Sequence, residues 1–453
     1  MSEEHRPKLL SAHGTFVGFD SNGNCLVVCT DHRDARCVRL HVEKGKAAFS
    51  VEVDGKMRYV VPSIDGFLLV DDLSTVVQRL DVIGQEGGYV SLGLNGFFFA
   101  AHPDGSLDFQ PWMQIHEKFW LLHDDSVVTR ILSNHWHSES LDRFVHRRDI
   151  ALRPNFEIGL SDLIVTIDDL VFYAYSESDR EIYLIYQKYK VERLILFKPL
   201  IYFCAYGDQR SFDLLACSLR SFEKYGRFDG DYAIVTDKSS DYIEKTLSFI
   251  DRERITVIML PVVDVIDMVS ARYKITDCAV FQHYQPIIYS DFDIVCNAPI
   301  ANLCERALTS GKPLLRSEGT IDLVHYGSVL IQGDEHLRRT KDLGFNSGVI
   351  AFKNIDAVRA SFRMIVACMY SHIRSGLPRY DTTAYDQSAA NYVFNKMIDF
   401  DIHEMDNYVF PWPPAENEHI SGRGLIHFCG GVGAGHKVDR IISYYEYLER
   451  QPR

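Results

Sequence analysis

The chain has 453 residues, 46% of them hydrophobic and 24% charged, with a net charge of -14. This is the composition of a soluble globular protein too long for one ordinary domain. The negative balance excludes a nucleic-acid binder working through phosphate contacts.

The opening residues, MSEEHRPKLL, have no apolar core of a signal peptide. The longest apolar candidate, Leu194 to Tyr206, is interrupted by Lys198 and Pro199, so no membrane-spanning segment is expected. The ten cysteines form no Cys-x-x-Cys pair. A cytoplasmic protein with reduced, mostly buried thiols is predicted.

The first third repeats. Gly14, Gly55 and Gly96 stand 41 residues apart (55−14 and 96−55). Each precedes an apolar strand: Thr15-Phe16-Val17, Met57 to Val61, and Phe97 to Ala100. Turn pairs follow at Asn22-Gly23, Asp65-Gly66 and Asp104-Gly105. Second strands close the units at Val38 to Leu40, Arg79 to Val82 and Phe119 to Leu122. No such unit buries a core alone, which predicts a repeat architecture. The pattern resembles a β-trefoil over residues 1–126, and the third unit, Tyr89-Val90-Ser91-Leu92 through Glu117-Lys118-Phe119-Trp120-Leu121, looks like the fascin type. That resemblance implies a glycan or protein partner for this domain; a purely structural β-domain stays open beside it.

Residues 127–198 form a connecting region. His135-Trp136-His137 invites a metal reading, with surface or packing histidines as the plainer one. Leu163 to Ile167 and Val171 to Tyr175 read as strands. The second turns through Ser176 to Asp179 into Ile182 to Tyr186, a hairpin.

From residue 199 the rhythm becomes α/β. Ile201 to Tyr206, Tyr232 to Thr236 and Ile255 to Leu260 read as buried strands. Helical stretches at Ser211 to Tyr225 and Ser240 to Ile250 separate them. Such alternation predicts a mostly parallel sheet with ligands at its carboxyl edge. Pro286-Ile287-Ile288-Tyr289 is another buried strand and runs into Ser290-Asp291-Phe292-Asp293. If strand geometry continues, Asp291 and Asp293 point the same way. Two convergent carboxylates repel unless a hard divalent cation joins them, and such a cation can hold a diphosphate. The plainer reading is a solvated acidic turn.

Four motifs follow in order: Ser270-Ala271-Arg272-Tyr273-Lys274-Ile275 before the acidic pair, Phe345-Asn346-Ser347-Gly348-Val349-Ile350, Tyr385-Asp386-Gln387-Ser388-Ala389-Ala390-Asn391, and His427-Phe428-Cys429-Gly430. With the acidic pair they resemble the family-8 glycosyltransferases, the glycogenin and lipopolysaccharide-galactosyltransferase group of GT-A fold. The resemblance implies a GT-A domain over 199–453 and metal-dependent transfer of a hexose, with retention, from a nucleotide sugar. The donor would be UDP-linked, and the acceptor a hydroxyl of a glycan, lipid-linked or protein substrate. It further implies Mn²⁺ or Mg²⁺ on Asp291, Asp293 and His427, with manganese favoured by the imidazole. Arg272 would lie along the donor diphosphate or sugar. Asp208 would lie near the base and ribose, and Asn346 and Asp386 on the donor sugar. Gln387 would lie near the anomeric carbon. Read from the residues alone, Asp386 could equally be a helix N-cap, Asn346-Ser347-Gly348 a turn, and His427 structural.

The sequence departs from the family at the last motif, whose lysine position is Gly433. The loop Gly430-Gly431-Val432-Gly433-Ala434-Gly435-His436-Lys437 offers backbone N–H groups to phosphate, with Lys437 as a later cation. His436 competes with His427 as third ligand. Trp412, within Pro411-Trp412-Pro413-Pro414, would line an acceptor cleft or stiffen a loop. Two other function classes stay open: a binding protein whose transferase-like domain is inactive, and a metal-dependent nucleotidyltransferase.

Overall fold

The computed structural model describes the chain apart from residues 1–5, 23–24, 64–65, 76–78, 86–88, 124–125, 168–170, 175–179, 187–189, 338–341, 375–384, 412–423, 430–433 and 452–453. Side chains are also left aside at 62–63, 66, 75, 171–174, 372–374, 385 and 434–436. The chain divides into two compact units, Met1–Leu196 and Phe197–Arg453.

In the N-terminal unit six strands close on themselves. Their order is Lys8–Ser11, Arg39–Glu43, Lys46–Val53, Leu80–Gly84, Val90–Leu94 and Phe119–Leu122, and the last pairs back to the first. Closure leaves no free edge in the ring. Three hairpins complete the 12-stranded sheet: Phe16–Asp20 with Cys25–Cys29, Lys56–Ser63 with Gly66–Val70, and Phe97–Ala101 with Leu107–Gln110. The interior is filled from all three repeats, with Phe99 packed on Phe49 and Phe119 at ring-centroid distances of 5.4 and 5.6 Å.

The repeat glycines have a backbone reason. Gly14, Gly55 and Gly96 have φ of 74°, 72° and 85°. Asp54 and Asn95, just before two of them, also have positive φ. Asp54-Gly55 and Asn95-Gly96 are therefore two-residue hairpin turns of the kind that matches strand twist. Gly105 likewise has φ of 83°. The expected turns at Asn22-Gly23 and Asp65-Gly66 involve residues outside the described ones.

Residues 127–196 cluster with this unit. They supply a helix, Val127–Ser133, capped by Ser126, and two sheets of five and three strands. Trp136 is fully buried in their core, so alternation along the strand sends His135 and His137 to its other face. The expected hairpin pairs Val171–Ala174 with Glu181–Tyr186, and its predicted turn lies outside the described residues.

The C-terminal unit is built on one six-stranded sheet. Strands β1 (Leu200–Ala205), β2 (Asp231–Thr236), β3 (Ile255–Met259) and β4 (Ile287–Ser290) are parallel, in the order β3-β2-β1-β4. A short strand β5 (Ile294–Cys296) follows β4. Strands β6 (Leu314–Thr320) and β7 (Leu343–Phe352) complete the sheet, β7 antiparallel to both β4 and β6. Strands β8 (Val409–Pro411) and β9 (Leu425–His427) form a small second sheet with β5.

Helix α1 (Gln209–Lys224) follows β1 and α2 (Ser240–Thr246) follows β2. Helix α3 (Val265–Ser270) leads into a 3₁₀ stretch, Ala271–Asp277. Helices α4 (Ala301–Thr309), α5 (Ser328–Gln332), α6 (Ile355–Arg374), α7 (Tyr385–Met397) and α8 (Ala434–Arg450) complete the unit. The central strand β1 is apolar throughout and all six of its residues are buried, as a sheet covered on both faces requires. No helix among the described residues is long and apolar enough to cross a membrane.

One feature corrects the sequence reading: Asp291 and Asp293 lie in the turn between β4 and β5, not on a continued strand. Arg272 lies on the 3₁₀ stretch.

Asn391 fastens helix α7 to the backbone of β7. The Asn391 amide accepts from Phe345 N at 2.9 Å and donates to Phe345 O at 2.9 Å, completing what a neighbouring strand would have supplied. Asn391 is fully buried. Asn391→Ala orphans both backbone groups and is expected to cost about 3 kcal/mol. Urea unfolding followed by circular dichroism measures it; a loss within about 0.5 kcal/mol of zero contradicts this role.

Candidate active site

Topology brings the site together at the carboxyl ends of β1 and β4. The acidic turn is held on both flanks. Asp291 N donates to Gly348 O at 2.8 Å, carrying the β4–β7 ladder one residue past the strand. On the other flank Ile294 pairs with His427, and Phe428 N donates to Asp293 O at 3.1 Å. A residue late in the chain is thus locked beside the turn by backbone hydrogen bonds.

The ligand atoms of Asp291, Asp293 and His427 all lie within 4.8 Å of one another. His427 Nε2 stands 3.3 Å from Asp293 Oδ1 and 3.8 Å from Asp291 Oδ2. Asp293 Oδ1 and His427 Nδ1 are buried and have no hydrogen-bond partner among the described residues. Leaving such groups unmet is costly, and a cation would supply what is missing at the carboxylate. Two carboxylates and an imidazole form an N/O donor set suited to Mn²⁺ or a similar divalent ion. His436 lies at the start of α8, where its side chain is outside the described ones.

Gly348 makes this proximity possible. A Cβ at that position would stand 2.3 Å from His427 Cε1, 2.8 Å from Asp291 Oδ2 and 2.9 Å from Asn346 Oδ1.

Each acid also meets a side-chain cation. Arg272 approaches Asp291 Oδ1 at 3.3 Å and Asp386 Oδ2 at 3.5 Å. Its guanidinium donates to Ser347 O at 2.9 Å and lies 4.6 Å from the centre of the Tyr289 ring. Lys437 pairs directly with Asp293 Oδ2. Burial, with the neighbouring Asp293, pushes the Asp291 carboxyl up against the pull of Arg272. Burial would raise Asp293 too, but His427 and Lys437 outweigh it and hold that carboxyl below the ordinary range. The Tyr289 hydroxyl donates to Asp291 Oδ1.

The second acidic centre is Asp386, in the first turn of α7. It is no N-cap: its Oδ2 accepts from Tyr273 and Ser347 hydroxyls, each at 3.0 Å. Gln387 Oε1 accepts from Ser347 N at 3.3 Å. Asn346 donates to Glu318 Oε2 at 2.7 Å and accepts from Gly348 N at 2.8 Å.

A cavity of about 560 Å³ opens beside the acidic turn. Its wall includes Tyr206, Asp208, Arg272, Asp291, Asp293 and Lys437. That volume suits a nucleotide-sized ligand. Asp208 caps α1, accepting from Arg210 N at 3.1 Å. Asn346, Asp386 and Gln387 are not on this wall; Arg272, through Asp386 and Ser347, links them to it. Gly430 and Trp412 lie outside the described residues.

Sequence reasoning missed the hydroxyls of Tyr273 and Tyr289 and the carboxylate of Glu318. Tyr289 alone left a local signal, standing two residues before Asp291 at the end of an apolar strand.

No protein-family model matches the sequence, and no curated protein matches it. Similar solved structures include the galactosyltransferase LgtC in complex with donor and acceptor sugar analogues, at 15% identity and a TM-score of 0.37 over 56% of this chain and 98% of that one. The bifunctional glycosyltransferase WbbM matches over 56% of this chain and 50% of its own, at 14% identity and a TM-score of 0.38. Mouse xyloside xylosyltransferase 1 matches over 51% and 98%, at 14% identity and a TM-score of 0.36.

Gly348→Ala should leave the fold intact but drive His427 and Asp291 apart. Mn²⁺ affinity, read by electron paramagnetic resonance, is expected to fall at least about tenfold. Unchanged affinity in a folded variant contradicts a three-ligand site here.

Proposed function

We propose that the C-terminal unit is a metal-dependent GT-A glycosyltransferase that moves a hexose from a nucleotide sugar to an acceptor hydroxyl. One observation carries the reading: two carboxylates and an imidazole from distant segments, with buried oxygen and nitrogen atoms unmet, converge on a nucleotide-sized cavity. Asp291, Asp293 and His427 would hold Mn²⁺, or Mg²⁺, and the donor would be UDP-linked. The bound ion supplies Lewis-acid stabilisation of the departing diphosphate.

The residues themselves divide the remaining work. Arg272 and Lys437, cations on the cavity wall, lie where an anionic diphosphate would enter. Asp208 stands at the mouth of α1 for the base and ribose, and Gly430 would serve the phosphates. Asn346 and Asp386 would hold donor-sugar hydroxyls. Asp386 accepts two hydroxyl hydrogen bonds on one oxygen and has Arg272 nearby, so it is better suited to positioning than to attack. Gln387 is an amide and a poor nucleophile. Retention is therefore assigned to front-face attack. The bond from the anomeric carbon to the phosphate oxygen breaks, the acceptor oxygen bonds on the same face, and its proton passes to the departing diphosphate.

In this reading residues 1–126 are a fascin-like β-trefoil, supported by the closed six-strand ring and its three hairpins. Residues 127–198 connect it to a catalytic domain at 199–453. The trefoil would take a glycan or protein partner, the acceptor would be a glycan, lipid-linked or protein hydroxyl, and the protein would work in the cytoplasm.

A second reading, a binding protein with an inactive transferase-like domain, is favoured by one observation: Asp291 and Asp293 already have cationic partners. A panel of nucleotide sugars with Mn²⁺ separates the two. UDP release is expected from at least one donor, and Asp293→Asn should lower it at least about a hundredfold. No release from any donor, with no manganese-dependent nucleotide binding, favours the binding protein. Release of pyrophosphate instead points to nucleotidyl transfer.

A further inference from the structure

The two cations on the acidic turn have a consequence for how the site fills. Lys437 sits on Asp293 and Arg272 on Asp291, so each carboxylate has a cation against it. Both cations line the same cavity as the carboxylates they hold. Lys437 is held by its ion pair with Asp293. It projects from the first turn of α8, directly after the glycine-rich stretch, and its side chain remains 30% exposed. It can therefore swing without disturbing the core.

We infer that Lys437 is a placeholder for the divalent ion, and that it couples metal binding to binding of an anionic diphosphate. This rests on the metal-site reading above. A divalent ion on Asp293 Oδ1, the oxygen facing His427, would stand beside the ammonium on Oδ2, and repulsion between the two cations drives the ammonium off. The displaced ammonium stays on the cavity wall as an unpaired, partly desolvated cation, which opposes metal binding by itself. An anion entering the cavity gives the ammonium a new partner and removes that opposition. Local charge runs the same way. Asp291, Asp293 and Asp386 face Arg272 and Lys437, three negative against two positive. A divalent ion alone turns the cluster net positive, and a diphosphate restores the balance. Coupling of this kind is reciprocal: the ion must strengthen diphosphate binding by the factor by which the diphosphate strengthens the ion.

The test is Mn²⁺ binding to the full-length protein by electron paramagnetic resonance, with and without saturating UDP. In the wild type UDP is expected to raise Mn²⁺ affinity at least about fivefold. Lys437→Gln should bind Mn²⁺ alone at least about fivefold more tightly than the wild type, with a smaller UDP effect. Lys437→Arg, which keeps the charge, should retain the wild-type order. Lys437→Gln binding Mn²⁺ alone no more tightly than the wild type overturns the placeholder role, as does wild-type affinity that ignores UDP. A wild type that binds no Mn²⁺ under either condition sinks the metal-site reading instead. Circular dichroism on each variant separates these outcomes from loss of fold.

Discussion

Repulsion between the two carboxylates of the β4–β5 turn, one buried and one half-buried, is the constraint on which the candidate site depends. Their ligand oxygens stand within 4.8 Å of each other. At an effective dielectric near 20, two full charges at that separation repel by about 3 kcal/mol. The surroundings answer with four positive or donor groups among the described residues: Arg272, Lys437, His427 and the Tyr289 hydroxyl. These come from a 3₁₀ stretch, a C-terminal helix and two strands. A fold seeking stability alone could place apolar residues at this sheet edge, often at no loss. Retaining an acidic pair inside so much compensation points to a ligand that needs it.

Convergence follows from backbone pairing more than from side-chain attraction. β7 runs antiparallel to β4, so Asn346 and Gly348 arrive opposite the acidic turn by register. β9 runs antiparallel to β5, so His427 arrives by register as well. Gly348 then serves two purposes. Its carbonyl fixes the backbone of Asp291, and its missing Cβ leaves room for the imidazole and the carboxylate to approach. Asn391 keeps α7 in contact with the same strand, which is how Asp386 and Gln387 reach Ser347.

Local signals carried much of this. Apolar runs such as Ile201 to Ala205 and Ile287 to Tyr289 read as buried strands because strands covered on both faces need no alternation. The 41-residue glycine spacing was legible because positive φ excludes most other residues. Register was less legible. The acidic pair looked like a strand continuation, yet β4 ends at Ser290 and the turn itself aims both carboxylates. Asn346 read as a bare donor for a sugar, but Glu318, 28 residues earlier, already engages its amide. That partner comes from β6, which pairs with β7 across bulges, and no local pattern reports a bulged register. Lys437 fell outside the family spacing; the start of α8 brings it back to Asp293.

Arg272 joins the two acidic centres into one site. Its guanidinium reaches Asp291 at the acidic turn, Asp386 on α7 and the carbonyl of Ser347 on β7. A planar fork with several donors can hold three such partners at once, which an ammonium on a flexible stem cannot do. The Tyr289 ring beneath it fixes the plane of that fork. Its Nε, buried and without a hydrogen-bond partner among the described residues, shows that the guanidinium is placed for these contacts at some cost. Movement of Asp291 toward a cation would therefore be felt at Asp386 through a single rigid group. Positioning at the end that would hold a sugar is in this way tied to occupancy at the end that would hold a metal.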